Sequence, residues 1–141
     1  MSTRLKSSVE INIRFNEVDS LGIVWHGHYL KYFEDARENF GKEFGLGYLD
    51  IFREGFVTPL VKVECDYKNS LVYGDVIEVD IEYHDSQAAK IQFGYAIHHA
   101  DTGVLIATGS SLQVFLDVKD RILQLSCPDF FIEWKKRHGL I

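Results

Sequence analysis

The sequence predicts an α+β fold: one domain, residues 1–141, in which a long helix lies on the concave face of a curved antiparallel sheet. Three observations carry that expectation. Residues 29–44 place apolar side chains every three or four positions, the period of a helix buried along one stripe. Residues 57–117 instead alternate apolar and polar side chains between short turns, the period of strands. The 141 residues contain no internal repeat, no low-complexity segment and no linker, and that length suits a single continuous core.

The elements follow in order. Val9, Ile11, Ile13 and Phe15 alternate with Glu10, Asn12 and Arg14, which makes residues 9–15 a half-buried strand. A polar, glycine-bearing loop runs from Asn16 to about His28. Leu30, Phe33, Ala36, Phe40 and Phe44 then mark a helix over residues 29–44, roughly 24 Å long at 1.5 Å per residue, and Gly45 and Gly47 stop it. Val57, Pro59, Val61, Val63, Cys65 and Tyr67 alternate with Thr58, Lys62, Glu64, Asp66 and Lys68, although Leu60 breaks the polar side. After Tyr73-Gly74-Asp75 the same alternation appears in Ile77, Val79, Ile81 and Tyr83. It recurs in Ile91, Phe93, Tyr95 and Ile97, beyond a polar turn at residues 85–89. Asp101-Thr102-Gly103 signals a short hairpin, and residues 104–116 are apolar on both faces, as in a strand at the sheet centre. Pro128 opens a last helix that buries Phe130, Phe131 and Trp134 and ends on Lys135, Lys136, Arg137 and His138.

Composition narrows the function. A net charge of -6 with no basic block argues against a nucleic-acid backbone as partner. Cys65 and Cys127 belong to no CxxC pair, which fits a reducing compartment. The opening MSTRLKSSVEINI has no apolar leader core, and no apolar run approaches membrane-spanning length. A soluble, cytoplasmic protein is expected.

Chemistry concentrates in residues 19–29, between the first strand and the long helix. Here a carboxylate (Asp19), a turn glycine (Gly22) and a helix N-terminus fall within ten residues. Unpaired N–H groups at a helix start can hold the oxyanion formed when a carbonyl is attacked. A carboxylate beside them can attack that carbonyl or draw a proton from water. A loop aspartate before a helix more commonly caps or turns the chain, so Asp19 gains weight from its surroundings rather than by itself.

Those surroundings, Phe15-x-x-x-Asp19-x-x-Gly22-Ile23-Val24-Trp25-His26-x-x-Tyr29, continued by Tyr32, Phe33, Glu34, Ala36 and Arg37, resemble the signature of the 4-hydroxybenzoyl-CoA thioesterase family of hot-dog proteins. The order of elements agrees from about Val9 to Asp117. The resemblance implies a sheet wrapped around the long helix, dimers that form one continuous sheet, and a further pairing into homotetramers. It implies hydrolysis of an acyl-coenzyme A thioester to free acid and coenzyme A without metal or organic cofactor. Asp19 matches the family's catalytic carboxylate, as nucleophile or general base. The backbone N–H of His26 matches the group that polarises the thioester carbonyl, Gly22 the turn glycine that lets backbone approach substrate, and Tyr29 a pocket-shaping aromatic. Lys90 roughly matches a basic contact to the coenzyme phosphates. The sequence departs from the family at Glu17, where many members carry Asp, and at Val18, where Thr is usual.

Other readings compete. A hot-dog hydratase or dehydratase needs an Asp/His pair acting on a C–C double bond, which the loop fits poorly; an acyl-CoA binding module needs no turnover. His26 and His28 form an H-x-H pair without a third ligand at suitable spacing, so no metal site is expected. Adjacent His98 and His99 point to opposite faces of a strand and cannot act together. Glu34 and Arg37, three apart on the helix, read as a surface or interface ion pair. Ser110 and Ser111 lack the G-x-S-x-G context of a serine hydrolase. Trp25, Tyr29, Tyr32 and Phe33 can wall a pocket or belong to the core. Lys62, Lys68 and Arg121 read as solvated cations.

Overall fold

The computed structural model describes residues 4–141, so the first three residues of the opening segment lie outside the described residues. The elements are β1 (Lys6–Asn12), a 3-10 turn (Phe15–Glu17), α1 (His28–Phe44), α2 (Tyr48–Arg53), β2 (Phe56–Val57), β3 (Leu60–Tyr67), β4 (Val76–His84), β5 (Lys90–His99), β6 (Leu105–Val114), β7 (Leu116–Asp117) and α3 (Asp129–Arg137). Five strands form one antiparallel sheet in the order β1-β4-β5-β6-β3, and β2 pairs with β7 in a separate ribbon.

The alternation in β4 and β5 is strict. Ile77, Val79, Ile81 and Tyr83 are buried, as are Ile91, Phe93, Tyr95 and Ile97, while the residues between them are more exposed. These side chains meet α1, whose buried face is Tyr29, Tyr32, Phe33, Ala36 and Phe40. Phe33 stacks on Tyr95 with ring centroids 4.4 Å apart, and Phe40 meets Phe93 edge-on at 4.9 Å. A Cβ at Gly109 of β6 would collide with the Phe33 ring, so glycine sets how closely α1 approaches the sheet. The buried stripe is rotated from the expected one: Leu30 is 38% exposed, and Tyr29 and Tyr32 take the inward positions. Each tyrosine gives an aromatic body to the core, which a hydropathy count underrates.

Three further expectations are corrected. Phe15 is 73% exposed, because the strand ends at Asn12 and the chain tightens into a 3-10 turn. β6 is not central, since β5 occupies the middle of the sheet and β6 lies next to the β3 edge. The expected strand from Val57 breaks at Pro59 into β2 and β3, and as an edge strand β3 leaves Val61 56% exposed. The helix α2 was not legible at all. Only Ile51 of its six residues is buried, so no stripe announces it.

The last helix forms where Pro128 starts it. Phe131 and Trp134 are buried, and the Trp134 indole N–H donates to the Phe44 carbonyl at 2.7 Å, pinning α3 to the end of α1. Lys135 in the basic last turn is buried: its ammonium donates to the Ser86 carbonyl at 2.6 Å and lies 3.0 Å from an Asp85 oxygen. No helix is long and apolar enough to cross a membrane among the described residues.

Candidate active site

The loop between β1 and α1 is a small hairpin that presents Asp19. Val18 bridges Val24, the Asp19 N–H donates to the Ile23 carbonyl at 2.9 Å, and the Gly22 N–H returns to the Asp19 carbonyl at 2.9 Å. Gly22 has φ 79°, left-handed backbone that glycine enters without a side-chain penalty. The Asp19 side chain closes the turn through Oδ1, which accepts the Leu21 N–H at 2.8 Å. Its other oxygen has no hydrogen-bond partner among the described residues. Asp19 is therefore both the turn former that its position suggests and a carboxylate with one oxygen to spare.

Beyond the hairpin the chain is fastened by the Val24 N–H to the Leu71 carbonyl at 2.8 Å and the Trp25 N–H to the Glu17 carbonyl at 3.0 Å. Glu17 itself is 4% exposed, and its carboxylate accepts the Arg14 N–H at 2.7 Å. It supports the loop from behind and does not line the cavity in front of Asp19. The N–H groups of His26 and Gly27, at the head of α1, have no partner among the described residues. The Trp25 indole covers Gly27 so closely that a Cβ there would overlap it. The His26 carbonyl, facing the other way, accepts the Tyr67 hydroxyl at 2.7 Å.

Asp19, His26 and Tyr29 line a cavity of about 350 Å³ together with Tyr67, Lys68, Asn69 and Ser70. Two phenols meet edge-on there, Tyr29 and Tyr67, with centroids 4.8 Å apart. Burial and then the neighbouring Cys65 thiol raise Tyr29 above its ordinary value, and the same causes push Tyr67 up to about 12. The Tyr67 phenol keeps its proton near neutrality and donates it to the His26 carbonyl.

The structure joins some of the anticipated residues and separates others. Asp19, His26 and Tyr29 converge on one cavity. Gly22 shapes the turn but is absent from the cavity wall, so its contribution is conformational. Lys90 opens β5 opposite Val114, at the far end of the sheet from Tyr67, which pairs with Ala107. Tyr67 was not singled out from sequence, because an alternating strand residue looks like core and its hydroxyl contact spans 41 positions. Lys68 read as a solvated cation and lines the cavity, whereas Lys62 pairs with Glu64 at 3.0 Å. Arg37 does not pair with Glu34 but donates to the Tyr95 hydroxyl at 3.0 Å. His98 and His99 face separate carboxylates, Asp80 at 3.4 Å and Asp75 at 3.2 Å. Among the described residues no group of three or more His, Cys, Asp or Glu side chains is arranged to hold a metal.

Comparison with known proteins gives the chain's family and fold. Residues 13–135 match the model of the thioesterase-like superfamily. YneP of Bacillus subtilis, provisionally named an acyl-CoA thioesterase, is 30% identical over 128 residues, 91% of each chain. A DHNA-CoA thioesterase from Staphylococcus aureus superposes with a TM-score of 0.83 at 25% identity, covering 96% of this chain and 92% of that one. A 4-hydroxybenzoyl-CoA thioesterase variant, solved with 4-hydroxybenzoyl-CoA bound, superposes with a TM-score of 0.79 at 20% identity, covering 92% and 98%.

Proposed function

The chain belongs to the thioesterase-like superfamily as a hot-dog thioester hydrolase, and from that premise we propose that it cleaves acyl-coenzyme A thioesters with Asp19 as the reacting carboxylate. One observation carries the assignment: a carboxylate oxygen and two backbone N–H groups, none with a protein partner, share one end of α1. N–H groups at a helix start that no protein acceptor uses are available to an oxyanion, and the spare Asp19 oxygen lines the same cavity as His26.

The thioester carbonyl accepts the His26 N–H, with Gly27 as the second donor, and its carbon becomes electrophilic. Asp19 then follows one of two routes. It adds to that carbon and expels the coenzyme A thiolate, leaving a mixed anhydride that water opens. Alternatively it takes a proton from a water molecule whose oxygen adds to the carbon, and the tetrahedral intermediate expels the thiolate. In both routes the C–S bond breaks, and water supplies the oxygen and the protons that the acid and thiol require.

Assembly belongs to the same proposal. β3 is a free sheet edge with Leu60, Val61 and Tyr67 exposed, an arrangement that pairing with a second copy would cover. A strand paired antiparallel with itself about a two-fold axis sets its first end beside the partner's last end. The Lys90 end of one protomer thereby approaches the partner's Asp19 cavity, where a cation can meet coenzyme phosphates. Light scattering at micromolar concentration is expected to give a dimer or tetramer mass; a monomer removes this part of the site.

The test of Asp19 is Asp19→Asn, measured for thiol release and thermal stability on one preparation. The amide oxygen can still accept the Leu21 N–H, so stability should change by about 1 kcal/mol or less. Turnover should fall by about a hundredfold to ten-thousandfold, the range for a lost catalytic base, or further for a lost nucleophile. A folded variant with near wild-type turnover refutes the assignment.

A further inference from the structure

A second cavity, larger than the first at about 710 Å³, lies between α1 and α2. Its floor is apolar, formed by the buried side chains of Leu46, Ile51, Ile91 and Phe93. Of the charged groups around it, Arg53 lies 2.7 Å from an Asp50 oxygen and Lys42 4.0 Å from a Glu38 oxygen, while Glu34 is an exposed carboxylate on the outer rim with no ion-pair partner among the described residues. Arg37 differs. This half-buried guanidinium has no carboxylate within 4 Å among the described residues, and its one hydrogen bond goes to the Tyr95 hydroxyl. Tyr95 is in turn bonded to the Ser111 hydroxyl, and both are buried, so the arginine is held from behind. A guanidinium carries five N–H donors in a fixed fork. A positioned fork with donors unused, above an apolar floor, fits a ligand that is apolar along its length and anionic at its tip.

Thr58, Leu60 and Gln113 line the chamber beside the first residue of β3, and Tyr67, the last residue of β3, lines the Asp19 cavity. Within one protomer these ends are about 23 Å apart at 3.3 Å per residue, too far for one short acyl group to span. Self-pairing of β3 changes the geometry. The Leu60 end of one strand then lies beside the Tyr67 end of the partner's in a continuous sheet, which brings the chamber of one protomer towards the partner's Asp19.

We propose that the α1–α2 chamber receives the acyl group of a thioester held at the partner's Asp19, and that Arg37 selects acyl groups ending in a carboxylate. The inference rests on the reading of Asp19 and on β3 pairing. Paired guanidinium and carboxylate groups make two parallel hydrogen bonds, whereas a methyl terminus leaves the arginine unsatisfied.

The experiment compares kcat/KM for glutaryl-CoA against pentanoyl-CoA, and adipoyl-CoA against hexanoyl-CoA, in wild type, Arg37→Met and Arg37→Lys. Wild type should prefer the dicarboxylic member of at least one pair by about tenfold or more, and Arg37→Met should cut that ratio by about tenfold or more. Arg37→Lys should keep part of it, as a point charge without the fork. Loss of activity on both members in equal measure assigns Arg37 to packing and overturns the proposal. An unchanged ratio, or no wild-type preference for either dicarboxylic member, overturns it as well. Asp19→Asn run on the same substrates separates the two readings. If that variant turns over normally, Asp19 loses its role while the Arg37 ratio still reports on the chamber.

Discussion

The two ends of α1 are finished in opposite ways. At the C-terminal end Gly45 adopts φ 70°, its N–H and that of Leu46 return to the Gly41 carbonyl, and the Phe44 carbonyl accepts the Trp134 indole. His138 adds a ring nitrogen 3.1 Å from the same oxygen. The Gly41 and Phe44 carbonyls are thus both bonded, and the aromatic contacts of α3 cover this end. At the N-terminal end Gly27 provides no side-chain cap, and the N–H groups of His26 and Gly27 have no partner among the described residues. Orphan groups at a helix end are met by protein or by solvent, so the difference separates a terminus anchored by protein contacts from one whose N–H groups face outward, as the proposed oxyanion site requires.

The largest effect belongs to the anchored end. Trp134→Ala removes a buried indole that packs on Phe131 and Tyr83, and should destabilise the protein by about 3–5 kcal/mol. Trp134→Phe keeps most of the ring and loses only the bond to Phe44, costing about 1 kcal/mol beyond the change in packing. Denaturant titration of both variants, with thiol release measured where they remain folded, checks the contrast. Specific activity per folded molecule should stay close to wild type. An equal loss of turnover and stability would mean that the C-terminal anchor also sets the geometry of the open end.

The same contrast decides what could be read from sequence. The open end is local: Asp19, Gly22 and the helix start lie within ten residues, so the stretch as a whole resembles a family signature where turn chemistry alone would make Asp19 a turn former. The strands β4 and β5 were equally plain, because burial on one face imposes strict alternation. What escaped was made by distance in sequence. Tyr67 reaches His26 from the end of an edge strand, Arg37 reaches Tyr95 across 58 positions, and Lys135 fastens the 85–89 loop across 49. Each has a bland local environment, a strand tyrosine or a helix cation, and acquires its role only from the register of the sheet. Glu17 teaches the converse. It stands beside the site in sequence, where the family's second acidic residue would be, yet folds away from the cavity to hold the Arg14 N–H.

The smallest expected effect probes whether the open end is held in place or merely unoccupied. The Tyr67 hydroxyl donates to the His26 carbonyl, and that carbonyl shares its peptide plane with the Gly27 N–H. If the plane is positioned by Tyr67, Tyr67→Phe frees it to rock and blunts the Gly27 N–H, the proposed second oxyanion donor. A typical hydrogen bond contributes about 0.5–1.5 kcal/mol, so kcat should fall by roughly twofold to tenfold with KM little changed. Alkaline pH offers an independent handle. The Tyr67 hydroxyl is raised from 10.0 to about 12, first by burial and then by Cys65. A group that holds its proton more tightly when folded contributes stability that is whole below pH 10.0 and lost as pH rises towards 12. Wild type should therefore lose more stability than Tyr67→Phe across that interval, while the two titrate alike near neutrality. Thermal melts from pH 8 to the limit of solubility, beside kcat for both proteins, test this directly. A phenylalanine variant with wild-type kcat would show that the His26–Gly27 peptide is fixed by the helix and the Trp25 indole alone.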